Sequence, residues 1–251
     1  MINLSKSIKN REEGGYSMKT IGLLGGMSWE STTEYYKNIN QMVNQRVGAL
    51  ASAKCVVYSV NFEEIVQCQK EGRWDDATAI LGQAAQHLEK AGAECLLVCT
   101  NTMHKIAKQI SASVTIPFLH IADATAEKIR EQKLRKIGLL GTKFTMEQDF
   151  FIEKMKDHGI EIIVPEEKER DIVHQVIFDE LCKGIITSAS RQAYREIMDS
   201  LVKAGAEGII LGCTEITLLV NAEDATVPLF DTTRIHAEKA VDFALSQVNN
   251  E

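Results

Sequence analysis

Proline is scarce in this sequence, three in 251 residues, and no extended Pro, Gly or Ser tract divides it. Its parts are therefore expected to lie in close apposition rather than on a tether. No apolar stretch approaches the roughly 18 residues of a membrane span, so no membrane partner is expected. No basic run occurs on a chain of net charge −7. That argues against a nucleic-acid partner and leaves small acidic metabolites open. The six cysteines form no CxxC pair, and four (Cys55, Cys95, Cys99, Cys213) sit in or at the end of apolar runs. Buried reduced thiols in a cytoplasmic protein without structural disulfides are the expectation. No His/Cys/Asp cluster has metal spacing and no Ser-His-Asp arrangement is legible, so no metal is expected.

Residues 1–17 stand apart. They contain no apolar segment of the secretory kind, whereas Met18 opens directly into KTIGLLGG. The expectation is an N-terminal extension, with translation starting at Met18, because REEGG is what a purine-rich ribosome-binding site would encode.

With 45% hydrophobic and 25% charged residues, the composition is that of a globular protein. IGLLGG (21–26) reads as a strand, followed from Ser31 to about Val47 by an amphipathic helix with Ser28 near its cap. CVVYSV (55–60) is a second strand, then come a short helix around 63–69, a long one from Asp75 to Ala91, and the strand CLLVC (95–99). The second half repeats this order with KIGLLGT (136–142), EIIVP (161–165) and GIILG (208–212). TIPFLHIADATAEK (115–128) matches TVPLFDTTRIHAEK (226–239), each read as a proline-led strand entering a helix. The offsets imply duplication of a unit of roughly 115 residues. The expected fold class is α/β: two pseudo-symmetric lobes, each a parallel sheet flanked by helices, with the active site in the cleft between them. The first lobe is expected over 18–118, completed by 230–251, and the second over 119–229.

The repeat also aligns chemistry. AGAE occurs at 91–94 and at 204–207, and six positions after each glutamate stand Thr100 and Cys213. This register pairs Thr100, rather than the adjacent Cys99, with Cys213, and leaves Cys99 on the other face of its strand as core. A thiol at the start of the apparently helical ITLLV would meet the positive end of a helix dipole, which favours thiolate. Thr100 is a poorer base and needs a neighbour or water to exchange protons. Asn101, Thr102 and Thr214 at the same turns suit a carboxylate. Glu215 either steers an ammonium group or favours the helix start. GGMS (25–28) is only a weak phosphate signature. His104 and His120 read as packed or hydrogen-bonded histidines.

At LLGGMSWEST, CTNTMH, FTMEQDF and GCTEI the chain resembles the aspartate/glutamate racemase family, closest to bacterial L-aspartate/glutamate-specific racemases. The resemblance runs from Met18 onward. It implies a homodimeric, pyridoxal-phosphate-independent isomerase without cofactor, acting on a small amino-acid substrate by two-base α-proton transfer between Thr100 and Cys213. Substrate contacts are expected at Met27, Ser28, Gln69, Asn101, Thr102, Met103, Thr214 and Glu215. Where the family has C-N-T in the first lobe, this chain has Thr100-Asn101-Thr102; the second motif, Cys213-Thr214-Glu215, is intact. The arginine and lysine with which aspartate-specific relatives clamp the side-chain carboxylate fall near Glu64–Gln69 and at Cys182, neither basic. Gln69 is then placed to hydrogen-bond the side chain, with Arg46 or Arg170 as sources of charge. L-aspartate and L-glutamate are the expected substrates. A broad-range (for example homoserine) racemase, a single-cysteine decarboxylase or isomerase, and a two-lobed small-molecule binding protein remain alternatives.

Overall fold

The computed structural model describes residues 18–246. The expected extension over 1–17, with the question of Met18, lies outside them, as do residues 247–251. The chain forms two parallel sheets with helices on their faces, the expected α/β class. The first has strand order β2-β1-β3, from Ile21–Gly25 (β1), Cys55–Ser59 (β2) and Cys95–Val98 (β3). The second has order β5-β4-β6-β7, from Lys136–Leu140 (β4), Glu161–Ile163 (β5), Gly208–Leu211 (β6) and Leu229–Asp231 (β7). The central strands are wholly apolar and buried because helices cover both faces of a parallel sheet.

The helices in chain order are α1 (Trp29–Val47), α2 (Phe62–Lys70), α3 (Trp74–Lys90), α4 (Ala107–Ser111), α5 (Ile121–Glu131) and α6 (Lys143–Glu147). They continue with α7 (Asp149–Asp157), α8 (Glu167–Gln175), α9 (Ser188–Lys203), α10 (Ile216–Leu219) and α11 (Thr232–Leu245). Ser28 caps α1, its Oγ accepting from Ser31 N. Thr142 caps α6 in the same way, at the matching place in the second lobe. Gly26 makes the sharp exit from β1: its φ is +89°, and a Cβ there would come within 2.3 Å of the Val60 carbonyl oxygen.

The duplication is visible bond by bond. Glu94 N–H donates to Thr20 O while its carboxylate accepts from Thr20 N–H at 2.7 Å. Glu207 does the same with Lys136, donating to its carbonyl and accepting from its N–H at 2.9 Å. Past each third strand, Cys99 N–H bonds Leu24 O at 2.9 Å and Gly212 N–H bonds Leu140 O at 2.7 Å. Cys99 is thus the counterpart of Gly212, and Thr100 that of Cys213.

Two sequence expectations shift. EIIVP stops as a strand at Ile163, because Pro165 has no N–H for a ladder. The segment after Pro117 forms a single bridge, Leu96 to Phe118, whereas its counterpart forms β7. The carbonyl of Leu119 is taken instead by His236 Nε2 at 2.6 Å, which ends the pairing. The C-terminal α11 returns to the first sheet: Ala237, Ala240, Val241, Ala244 and Leu245 pack with Ile21, Leu23, Tyr35 and Ile39. The core around β4 and β6 takes in Ile121, Ala122, Ala126 and Ile129 of α5. Among the described residues no helix is long and apolar enough to cross a membrane.

Candidate active site

The carboxyl ends of β1, β3, β4 and β6 converge on a cavity of about 390 Å³, within the range of small-ligand sites. Thr100 and Cys213 both line it. Met27, Ser28, Gln69, Asn101, Thr102, Thr214 and Glu215 line it as well. Met103 does not. Its side chain is fully buried beneath the cavity, where Sδ accepts from Gln69 Nε2 at 3.0 Å, so it supports the glutamine rather than a ligand.

Cys213 donates its thiol hydrogen to Glu215 Oε2, 3.0 Å away. Burial, then the charge of Glu215, push this thiol well above its ordinary range. The sequence expectation of a dipole-stabilised thiolate is corrected by this environment: the following helix, α10, is a single turn of four residues, and the nearest charge is negative. Cys99 is fully buried against Ile21 and Leu97 in the core. A second thiol, Cys182, reaches the cavity and is pushed up to about 11 by partial burial and by Glu215 and Glu30.

Among the described residues no group hydrogen-bonds the Thr100 hydroxyl, while its carbonyl accepts from His104 Nδ1 at 2.8 Å. His104 Nε2 accepts from Ile121 N–H at 3.2 Å, which fixes the proton on Nδ1 and the ring as neutral. Burial holds His104 well below the usual histidine range. His104 and His120 are thus both hydrogen-bonded, the latter capping α5 through Ala122 N–H.

The polar groups divide by sign. Thr232 Oγ1 donates to Leu211 O at 3.0 Å, so the Asn101 atom that it meets at 3.1 Å is the amide NH₂. Asn101 Oδ1 is left buried and without a partner among the described residues. Ser31 Oγ spends its one hydrogen on Cys99 O at 3.0 Å and therefore accepts from Thr214 Oγ1 at 2.9 Å. Thr214 is left with acceptor capacity only. Ser28 Oγ, whose hydrogen has no acceptor among the described residues, and Thr102 supply donors.

Arg46 pairs with Glu238 and Asp242, and Arg170 with Glu147; neither lines the cavity. The cations there are Lys70 and Lys143, which sequence reasoning missed because α2 and α6 meet only in the folded chain. Lys143 is engaged by Asp171, whereas Lys70 has no ion-pair partner among the described residues. Phe144 of α6, which lines the cavity, meets Trp74 of α3 with ring centroids 5.5 Å apart, and Lys105 Nζ sits 4.1 Å from the Trp74 centroid. Among the described residues no group of three or more His, Cys, Asp or Glu side chains is placed to hold a metal.

The profile of the Asp/Glu/hydantoin racemase family matches residues 24–240. The chain belongs to that family. It is similar to a putative Asp/Glu racemase from Yersinia pestis, with 55% identity and a TM-score of 0.88, covering 91% of this chain and all of that one. An aspartate racemase homologue from Pyrococcus horikoshii OT3 is 36% identical with a TM-score of 0.83, covering 90% of this chain and 99% of the other. A broad specificity amino-acid racemase, RacX of Bacillus subtilis (strain 168), is 23% identical over 232 residues, 90% of this chain and 98% of its own. The family makes this protein an enzyme of the isomerase class, and the resemblance seen at CTNTMH and GCTEI is met.

Proposed function

We propose that this racemase interconverts the enantiomers of aspartate and glutamate by two-base transfer of the α-proton, Cys213 serving one face of the carbon and Thr100 the other. The supporting observation is that these residues occupy equivalent backbone positions in duplicated lobes and line one cavity. On the Cys213 side, Glu215 takes the thiol hydrogen along their existing hydrogen bond. The thiolate then removes the α-proton, and the carbanion receives a proton from the Thr100 hydroxyl on the opposite face. Cavity water returns the proton from Glu215 to the Thr100 oxygen, which restores the starting state. The reverse reaction uses the same groups in the opposite order.

Substrate binding follows from the division of donors and acceptors. Asn101 Oδ1 and Thr214 Oγ1 accept from the α-ammonium group. Ser28, Thr102 and the backbone amides of the turn at 100–103 donate to the α-carboxylate, where enolate charge develops. This reverses the carboxylate role expected for the Asn101 and Thr214 side chains. Lys70, without an ion-pair partner among the described residues, takes the side-chain carboxylate.

A wider substrate range is the second reading, favoured by the relative described as a broad specificity racemase. Incubation of the enzyme with L-aspartate in deuterated water, followed by mass spectrometry and chiral chromatography, tests the proposal. Deuterium at Cα together with D-aspartate is expected. Intact, undeuterated L-aspartate and L-glutamate would sink the acidic substrate, and a screen of other L-amino acids then judges the broader one.

A further inference from the structure

We propose that Ser31 is a positioning residue that locks the two proton-handling faces in register across the cleft. The inference rests on the two-base reading for its catalytic consequence, but its geometry stands alone. Ser31 lies in the first turn of α1, only 4% exposed, with its N–H held by Ser28 Oγ at 3.2 Å. Its hydroxyl joins the residue before Thr100 to the residue after Cys213. The hydrogen goes to Cys99 O at 3.0 Å, and the oxygen accepts from Thr214 Oγ1 at 2.9 Å. The chain Thr214 → Ser31 → Cys99 is fully specified, because each hydroxyl has one hydrogen and the carbonyl can only accept. It spans the two lobes next to both reacting groups; a second hydroxyl, Thr232, joins Asn101 Nδ2 to Leu211 O, but Ser31 holds the residues directly adjacent to Thr100 and Cys213.

Inversion requires the acid and the base to address one carbon from opposite sides at the same time. A misplacement of about 1 Å in such an arrangement costs on the order of 10²-fold in rate. Exchange with retention requires only one face. Removing the brace therefore separates the two outcomes: Cys213 still exchanges the α-proton, while delivery from the Thr100 side fails.

The test compares Ser31→Ala with wild type for the ratio of α-deuteration with retained configuration to inversion, read in deuterated water from each enantiomer of aspartate, since the effect belongs to the one whose α-hydrogen faces Cys213. A rise in that ratio of tenfold or more is expected. Ser31→Thr, which keeps the bridging hydroxyl, should retain the wild-type ratio. If Ser31→Ala does not fold, Thr214→Val breaks the same bond from the cavity side and should raise the ratio alike. Amide hydrogen exchange of the ligand-free proteins reads the brace without any turnover. Protection at residues 99–102 and 213–216 should fall together in Ser31→Ala. An unchanged ratio or unchanged protection in the folded variant overturns the proposal. Absence of α-deuteration by the wild type would instead sink the racemase reading, and amide exchange still judges the brace.

Discussion

Cys213 gives its thiol hydrogen to Glu215, two residues on, with Sγ 3.0 Å from Oε2. Burial, with the charge of this carboxylate added to it, keeps the thiol protonated, and the carboxylate accepts its hydrogen. The thiolate fraction at neutral pH is thus small and grows about tenfold per pH unit as alkali is added, until the raised value is reached. The pH profile of kcat/KM is expected to climb well beyond the ordinary thiol range. In Glu215→Gln the like-charge repulsion is gone, so the limb moves to lower pH, while loss of the proton acceptor cuts the rate by about 10²-fold. A limb that stays in place in the variant would show that the thiol is not the titrating group.

Replacing the thiol is more severe. Cys213→Ala is expected to abolish α-deuteration, a loss of about 10³-fold or more. Thr100→Cys puts a better acid–base group at the equivalent position and should retain or raise racemisation. Full activity in Cys213→Ala, measured by mass spectrometry of recovered substrate, contradicts the assignment.

Lys70→Met tests side-chain reading. Loss of one charge-assisted contact of about 1.5–3 kcal/mol raises KM for L-aspartate by roughly 10- to 100-fold. Turnover of alanine or homoserine, if any, should be unaffected. Equal effects on acidic and neutral amino acids in steady-state assays would remove Lys70 from this role.

Stability should fall with acid before the carboxylates titrate. Three histidines are held neutral by burial: His104 well below its usual range, His120 down to about 4 and His236 down to about 3. In the unfolded chain each gains a proton near pH 6.5. The unfolded state therefore binds more protons below that pH, and stability declines as pH drops from 6.5 toward the folded values. Each histidine contributes a slope of about 1.4 kcal/mol per pH unit. Urea denaturation between pH 7 and 5 checks this; a flat midpoint over that range is inconsistent with the buried cluster.

The Thr100–Cys213 pairing was legible because it rests on spacing from a glutamate whose task is local to each lobe. Glu94 and Glu207 each pin the strand start of their own unit, and that bond reads as a repeated tetrapeptide. Ser28 was legible for a similar reason, since a cap acts within three residues. The acceptor roles of Asn101 and Thr214 were not. They depend on where Thr232 and Ser31, which lie 131 and 183 residues from Asn101 and Thr214 respectively, send their single hydrogens. The ionisation of Cys213 was misread because motif spacing does not reveal which way Glu215 turns.

The return of α11 to the opening sheet has a consequence for synthesis. A nascent chain emerging at about 5–20 residues per second presents Leu23, Tyr35 and Ile39 long before Ala240 and Val241 exist to cover them. The first lobe is therefore completed only after the second has been synthesised, and its apolar face stays open until then.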